Sequence, residues 1–313
     1  MKRSRSSPSI FFQDEVVNDV ICRIEAMRRQ EESVYNPQNV YDCDGSSSSG
    51  NIRSRADGEC RAKMSTWCYQ IVDHCKINRE SVEISMSYLD RFLGTERGEE
   101  CLRDRKAFQL ATMTALYIAI KLFEDVTVDP IMMSSLSRGI YKPSDFTEME
   151  INMLSAMQWR VNPPTSVSFV AHFISILPSG AVNRYTQLDL FECARFQTEL
   201  AVNEPNYSGT KASTIAFAAI WNALDIVASC ELTEAVQSSF QCILEKITSI
   251  RCHSSDFMDV MEGLLKASTQ NKPGVEISVA QHNFPCETTA MKISQICQKN
   301  SPRCVSTASF EVS

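Results

Sequence analysis

Apolar residues recur at three- and four-residue spacing through most of the chain, the signature of amphipathic helices. Met64, Trp67, Cys68, Ile71, Val72 and Cys75 fall on one helical face. From Glu80 to Leu93 the pattern is ambiguous: Val82, Ile84, Met86 and Tyr88 alternate as in a strand, while Val82, Met86, Leu89 and Phe92 suit a helix. The length of about 14 residues favours the helix. The run from Leu110 to Phe123 is broken only by Thr112, Thr114 and Lys121, so a helix over 104–124 is expected to be central and buried. A shorter helix is expected over 129–137, and Pro143 suits the first position of another, whose apolar face is Phe146, Met149, Met153, Leu154 and Met157. Pro163-Pro164 closes this half.

The second half repeats the layout. Val167, Val170, Phe173, Ile174 and Leu177 mark one helix, and others are expected near 187–203, 212–225, 232–250 and 255–267. In "ASTIAFAAIWNALD" the alanines 212, 216, 219 and 223 form a small-residue stripe, matched by Ala111, Ala115 and Ala119 in the first half. Two halves of near five helices, each with an alanine-striped centre, suggest an internal duplication. Residues 10–33 add a helical pattern through Phe12, Val16, Val20 or Ile21, Ile24 and Met27. The stretch 34–59, with "DGSSSSGN", is expected to be a low-complexity linker; 1–9 reads as a disordered basic tail and 270–313 as a second disordered tail.

Composition narrows the class. With 313 residues, 43% of them apolar, there is material for two domains, and 10 glycines and 11 prolines are few for an all-β chain. The net charge of −7 disfavours a general nucleic-acid binder. No run approaches the ~20 apolar residues of a membrane span, and "MKRSRSSPSIFF" has no apolar signal core. The 13 cysteines contain no C-x-x-C pair and read as buried thiols of a reducing compartment. Lys2, Arg3 and Arg5 make a weak nuclear-import signal; nucleus and cytoplasm are the expected locations.

Catalytic and metal-binding patterns are missing from the sequence: there is no H-E-x-x-H, phosphate loop or G-x-S-x-G elbow. His74 and His172 lie in helical apolar patterns and read as structural. The expectation is therefore an all-α binding protein without metal or cofactor.

"RAKMSTWCYQIVDHCKINRESVEISMSYLDRFLG", followed by "FQLATMTALYIAIKLFED" and "YKPSDFTEMEINMLSAMQWRVNPPTSVSFVAHF", resembles a cyclin box. The resemblance is specific over 60–178 and extends to about 268. Five recurring positions match in type and order: Arg61, Asp90, Leu110, Lys121 and Glu150. It implies two tandem five-helix cyclin folds, an N-terminal box over 60–162 and a C-terminal fold over 163–269. It also implies a non-catalytic regulatory subunit that binds a cyclin-dependent kinase and shifts it toward the active arrangement. Arg61 and Asp90 would form a structural ion pair between the first two box helices. Lys121 and Glu150 would face the kinase, with Ile120, Leu122 and Phe123 supplying apolar contact. Taken alone, Lys121 is a snorkelling lysine at a helix end and Glu150 a surface carboxylate.

A second implied site docks substrates or inhibitors with Arg/Lys-x-Leu motifs; its counterparts are Met64, Trp67, Arg105 and Gln109, although Cys60 and Lys63 depart from the usual residues. "GTERGEECLRD" is about five residues longer than usual and is expected to be a surface loop. Phe123 stands where many members have glutamate, which bears on kinase choice. "STW" and "MQW" are similar to G1, D-type cyclins, while R-x-x-L and L-x-C-x-E motifs are absent. Rival readings are a cyclin-fold transcription regulator and a helical scaffold without a kinase.

Overall fold

The computed structural model describes residues 9–41, 55–177, 182–227 and 233–270. The described residues are all-α, as expected, with no strand among them. The expected tails at 1–9 and 270–313 lie outside them, except that Ser9 and Gln270 are the first and last residues of described helices. Twelve α-helices follow in order: α1 Ser9–Ser33, α2 Gly58–Cys75, α3 Glu80–Leu93, α4 Glu96–Arg103, α5 Arg105–Phe123, α6 Pro130–Leu136, α7 Pro143–Ala156, α8 Ser166–Ile174, α9 Arg184–Asn203, α10 Ala212–Val227, α11 Glu234–Thr248 and α12 Ser255–Gln270. The described residues cluster into two compact units, one of 37–163 with 199–210, the other of 9–36, 164–198 and 211–270.

In the first unit α5 packs against α2, α3, α4 and α7. Its residues from Ala111 to Ile120 are buried without a break, which explains why the run shows no polar face. Ala111, Ala115 and Ala119 are fully buried and let neighbouring backbones come close. The helix starts at Asp104, whose carboxylate accepts the Lys106 amide at 2.9 Å. Asp57 caps α2 and Asp129 caps α6 in the same way, the latter with Pro130 at the first helical position. The ambiguous segment Glu80–Leu93 is helix: its alternating residues are buried on all sides by α2, α5 and α7, so both patterns were satisfied at once.

Two expectations are corrected here. The long surface loop is in large part helix α4. Thr95 caps it by accepting the Gly98 amide at 3.2 Å, while Cys101 and Leu102 are buried. Gly98 is required: a Cβ there would lie 2.0 Å from the Phe92 carbonyl oxygen, so only glycine lets α4 settle against the end of α3. The flanks of the expected linker are also ordered. Val40 and Tyr41 pack on the core and Ala56 is buried, whereas 42–54 lies outside the described residues.

In the second unit α10 takes the central place, packed by α8, α11 and α12. Phe173, Phe217, Trp221 and Phe257 form an aromatic cluster along it, with centroids 5.1–6.5 Å apart. Buried Asn222 donates to Gln197 at 2.8 Å and to the Met261 carbonyl at 2.9 Å. The N-terminal helix α1 packs on α8 and α11 and supplies a cap for α10: Glu31 accepts the Ser213 amide at 2.8 Å and its hydroxyl at 2.6 Å. Burial raises the Glu31 carboxyl above its ordinary value, against the opposing hydrogen bonds from Ser213 and the charges of Arg28 and Lys211.

The described cysteines are all free. Cys60, Cys68, Cys75, Cys101 and Cys252 are buried as expected, while Cys22 and Cys242 are exposed on outward helix faces. Burial pushes the Cys68 thiol up to about 12 and the Cys101 thiol up to about 11.

Gly98→Ala is expected to cost about 1–3 kcal/mol by urea denaturation, because the added methyl meets fixed backbone. Thr114→Val should be neutral or stabilising in the same assay, since the buried Thr114 hydroxyl has no partner. Glu31 binds its proton more tightly folded than unfolded, so its contribution is full below about 4.5 and declines as pH rises through the folded value. The unfolding free energy of wild type relative to Glu31→Gln should accordingly fall as pH rises above this range.

Candidate functional site

Two polar arrangements stand out in the first unit, one buried and one exposed. The buried one centres on Arg61 of α2. Its Nε donates to both oxygens of Asp90 on α3, at 3.1 and 3.2 Å, and its Nη2 donates to Asp90 Oδ2 at 2.8 Å. Nη1 donates to the Val202 carbonyl at 2.6 Å, satisfying an acceptor in the last turn of α9. Tyr41 donates its hydroxyl to Asp90 Oδ1 at 2.7 Å, and its ring lies 5.9 Å from the guanidinium carbon. Burial alone would lower the Arg61 pKa; the charge and hydrogen bonds of Asp90 outweigh it and hold the guanidinium above its ordinary range. Close by, Ser65 donates to Asn203 at 2.7 Å and Arg79 pairs with Glu199 at 2.8 Å.

The exposed arrangement lies where the end of α5 meets α7. Lys121 Nζ donates to Glu150 Oε1 at 2.9 Å and sits 5.4 Å from the Tyr117 ring centroid. The hydrogen bond to Glu150 raises the Lys121 pKa against partial desolvation. The ammonium also lies in the last helical turn, where the helix dipole favours a cation. Half of the Lys121 side chain is open to solvent, whereas Glu150 is mostly covered.

Exposed apolar side chains lie near this pair in the chain: Leu122 is 49% and Phe123 43% exposed after Lys121, Ile151 is 57% exposed after Glu150, and Trp159, just beyond α7, is 67% exposed. Ile120, expected to share this contact area, is instead buried, because it faces back into the helix bundle. Trp159 and Ile151 were missed in the sequence; exposure alone reveals them. Trp159 has φ 59° and follows Gln158 at φ 55°, left-handed conformations unusual for bulky side chains. Its amide caps α7 through the Leu154 carbonyl at 2.9 Å, and Arg91 donates to the Arg160 carbonyl at 2.9 Å. Tyr88 donates to the Val161 carbonyl, which pins the other end of this turn. An exposed tryptophan is thus held in place by hydrogen bonds on both sides.

Residues 24–162 match the family model described as cyclin, N-terminal domain. The chain carries a cyclin box over this segment. It is 23% identical over 171 residues to G1/S-specific cyclin-D1 of Mus musculus, covering 55% of this chain and 53% of that protein. A second relative, G1/S-specific cyclin-E of Caenorhabditis briggsae, is 29% identical over 123 residues, covering 39% of this chain and 23% of that protein. The chain thus spans about half the length of the cyclin-D1 relatives it matches. Among solved structures, a viral cyclin from herpesvirus saimiri shares the fold, with a TM-score of 0.57 at 17% identity over 80% of this chain and 97% of that one.

Within the cyclin box, Leu110 is half-buried against the core. The residues of the implied Arg/Lys-x-Leu docking patch offer little surface. Met64, Trp67 and Gln109 are buried, and Gln109 accepts from the Tyr141 hydroxyl at 3.3 Å. Arg105 is half-buried and donates to the Arg55 carbonyl at 3.2 Å. Ala56, ordered just before α2, is part of the same core. Lys63, the departure from pattern, is exposed and paired with Glu59 at 2.6 Å. Among the described residues, no group of His, Cys, Asp and Glu could hold a metal, and no helix is long and apolar enough to cross a membrane.

Arg61→Leu should destabilise the protein by about 3–5 kcal/mol in denaturant titration, because Asp90 is left buried without its cation. Tyr41→Phe removes a single hydrogen bond to the same carboxylate and should cost about 1.5–3 kcal/mol.

Proposed function

We propose that this cyclin-box protein is a non-catalytic regulatory subunit that binds and activates a cyclin-dependent protein kinase in cell-cycle control, at the G1 commitment step. The observation that carries the reading is the exposed Lys121–Glu150 pair, followed on α5 by exposed Leu122 and Phe123 and on α7 by exposed Ile151. A large exposed aromatic beside aliphatic side chains and one oriented ion pair has the make-up of a binding hot spot. The remaining donors of Lys121 and the second oxygen of Glu150 fix the register of a partner's backbone, and the exposed apolar side chains supply the buried area. The similarity to cyclin-D1 and cyclin-E supports the kinase partner and the phase.

Activation follows from differential affinity. A subunit that binds the kinase with its regulatory helix swung in, more tightly than with it out, moves the population toward the active arrangement. A two-state element shifted in this way needs no catalytic group from the cyclin. Expected locations are nucleus and cytoplasm; recognition of Arg/Lys-x-Leu motifs is a weaker part of the proposal, given how deeply Met64, Trp67 and Gln109 are buried.

Simultaneous Lys121→Glu and Glu150→Lys is the informative test. The exchange keeps an ion pair between α5 and α7, so thermal stability should change little. It inverts the donors and acceptors shown to a partner, and kinase activation should be abolished. Full activation of a purified cyclin-dependent kinase by this variant would sink the assignment.

A further inference from the structure

We infer that Tyr117 is a positioning residue for the contact surface: the face of its ring holds the Lys121 ammonium against Glu150, so that the pair is already set when a partner arrives. The inference rests on the kinase-binding reading above and adds a residue that the resemblance does not name.

Three observations carry it. First, Tyr117 and Lys121 are four residues apart on α5 and share a helix face, with the ammonium 5.4 Å from the ring centroid. The face of an aromatic ring is electron-rich and attracts a cation, more strongly where water is partly excluded. Second, the two side chains differ in freedom. Tyr117 is only 3% exposed, whereas half of the Lys121 side chain is open to solvent. A ring fixed in the helix bundle is a rigid platform for a flexible ammonium. Third, the three groups act on one another. The hydrogen bond to Glu150 is the main cause of the raised Lys121 pKa, and Tyr117 adds to it. The Tyr117 phenol is itself raised by burial and by the charge of Glu150.

Glu150 alone does not account for a fixed lysine. An exposed ion pair contributes little, because a long, flexible stem loses freedom when it is held in one geometry. With the ring of Tyr117 on α5 and the carboxylate of Glu150 on α7, the ammonium has two neighbours on different elements. The ordering is thereby done in the free protein, and binding does not have to supply it. Packing alone does not call for an aromatic here: Leu116, Ile118 and Ile120 fill neighbouring buried positions of the same helix with aliphatic side chains.

Tyr117→Leu removes the ring and keeps an apolar side chain, while Tyr117→Phe keeps the ring. Nitrogen-15 relaxation of the Lys121 ammonium, read in the free protein below neutral pH, should show greater mobility in Tyr117→Leu and near wild-type order in Tyr117→Phe. Affinity for the cyclin-dependent kinase that wild type binds should fall about 3–10-fold in Tyr117→Leu. The loss should be less than about 2-fold in Tyr117→Phe. In a Lys121→Ala background, Tyr117→Leu should cost no further affinity, because the ring acts through the lysine. Tyr117→Met is the ring-free variant to use if Tyr117→Leu does not give the circular dichroism of wild type. Unchanged Lys121 order without the ring, or the same loss of affinity with and without Lys121, overturns the inference and leaves the kinase-binding reading in place. If wild type binds no cyclin-dependent kinase, that reading falls, and the relaxation measurement by itself decides whether Tyr117 positions Lys121.

Discussion

A guanidinium and a carboxylate removed from water set the constraint on which the cyclin box depends. Arg61 and Asp90 are each tolerable inside the fold only because the other is there, and because Tyr41 and the Val202 carbonyl use the remaining hydrogen-bonding capacity. Hydrophobic burial would hold α2 against α3 in many registers. The bidentate fork between these two residues accepts one. Through the same atoms, the segment before α2 and the last turn of α9 are placed, so separate stretches of the chain answer to one charge.

The exposed pair on α5 works by the opposite logic. α5 is the innermost helix of its unit for most of its length, and its last turn emerges with Lys121, Leu122 and Phe123 still attached to that rigid axis. A side chain at the end of a buried helix has little freedom to wander. This is why the core of the box and its outward contact surface are properties of one helix, and why Ile120 and Lys121, adjacent in sequence, belong to different worlds.

Helical periodicity made most of the architecture legible. The bounds of α3 follow from length, Pro143 marks a helix start, and the alanine stripes identify both central helices. α4 was not legible as a helix, because in eight residues its buried face is little more than Gly98, Cys101 and Leu102. Periodicity cannot detect so short a pattern; the signal available was Thr95 as a cap. Tyr41 was hidden for another reason: it is a lone aromatic in a polar stretch, and its role is defined by a residue 49 positions away. Spacing could not pair Arg61 with Asp90 either; only the resemblance named them together. Nor does a motif register exposure, so it included buried Ile120 and omitted Ile151 and Trp159.

Glu31 shows how far such dependence extends along the chain. The residue that closes the open end of α10 is encoded 182 positions before the donor it accepts from, Ser213, in a helix ahead of the stretch 60–178 over which the resemblance is specific. A fragment trimmed to the recognisable cyclin core for expression would keep every residue of the contact surface on α5 and α7. It would nevertheless expose a buried serine and an uncapped amide at the heart of the second unit. The boundaries of a functional recombinant piece therefore have to be drawn from helix termini, at Ser9 or before, rather than from residue 60, where the specific resemblance starts, or residue 24, where the family match begins inside α1.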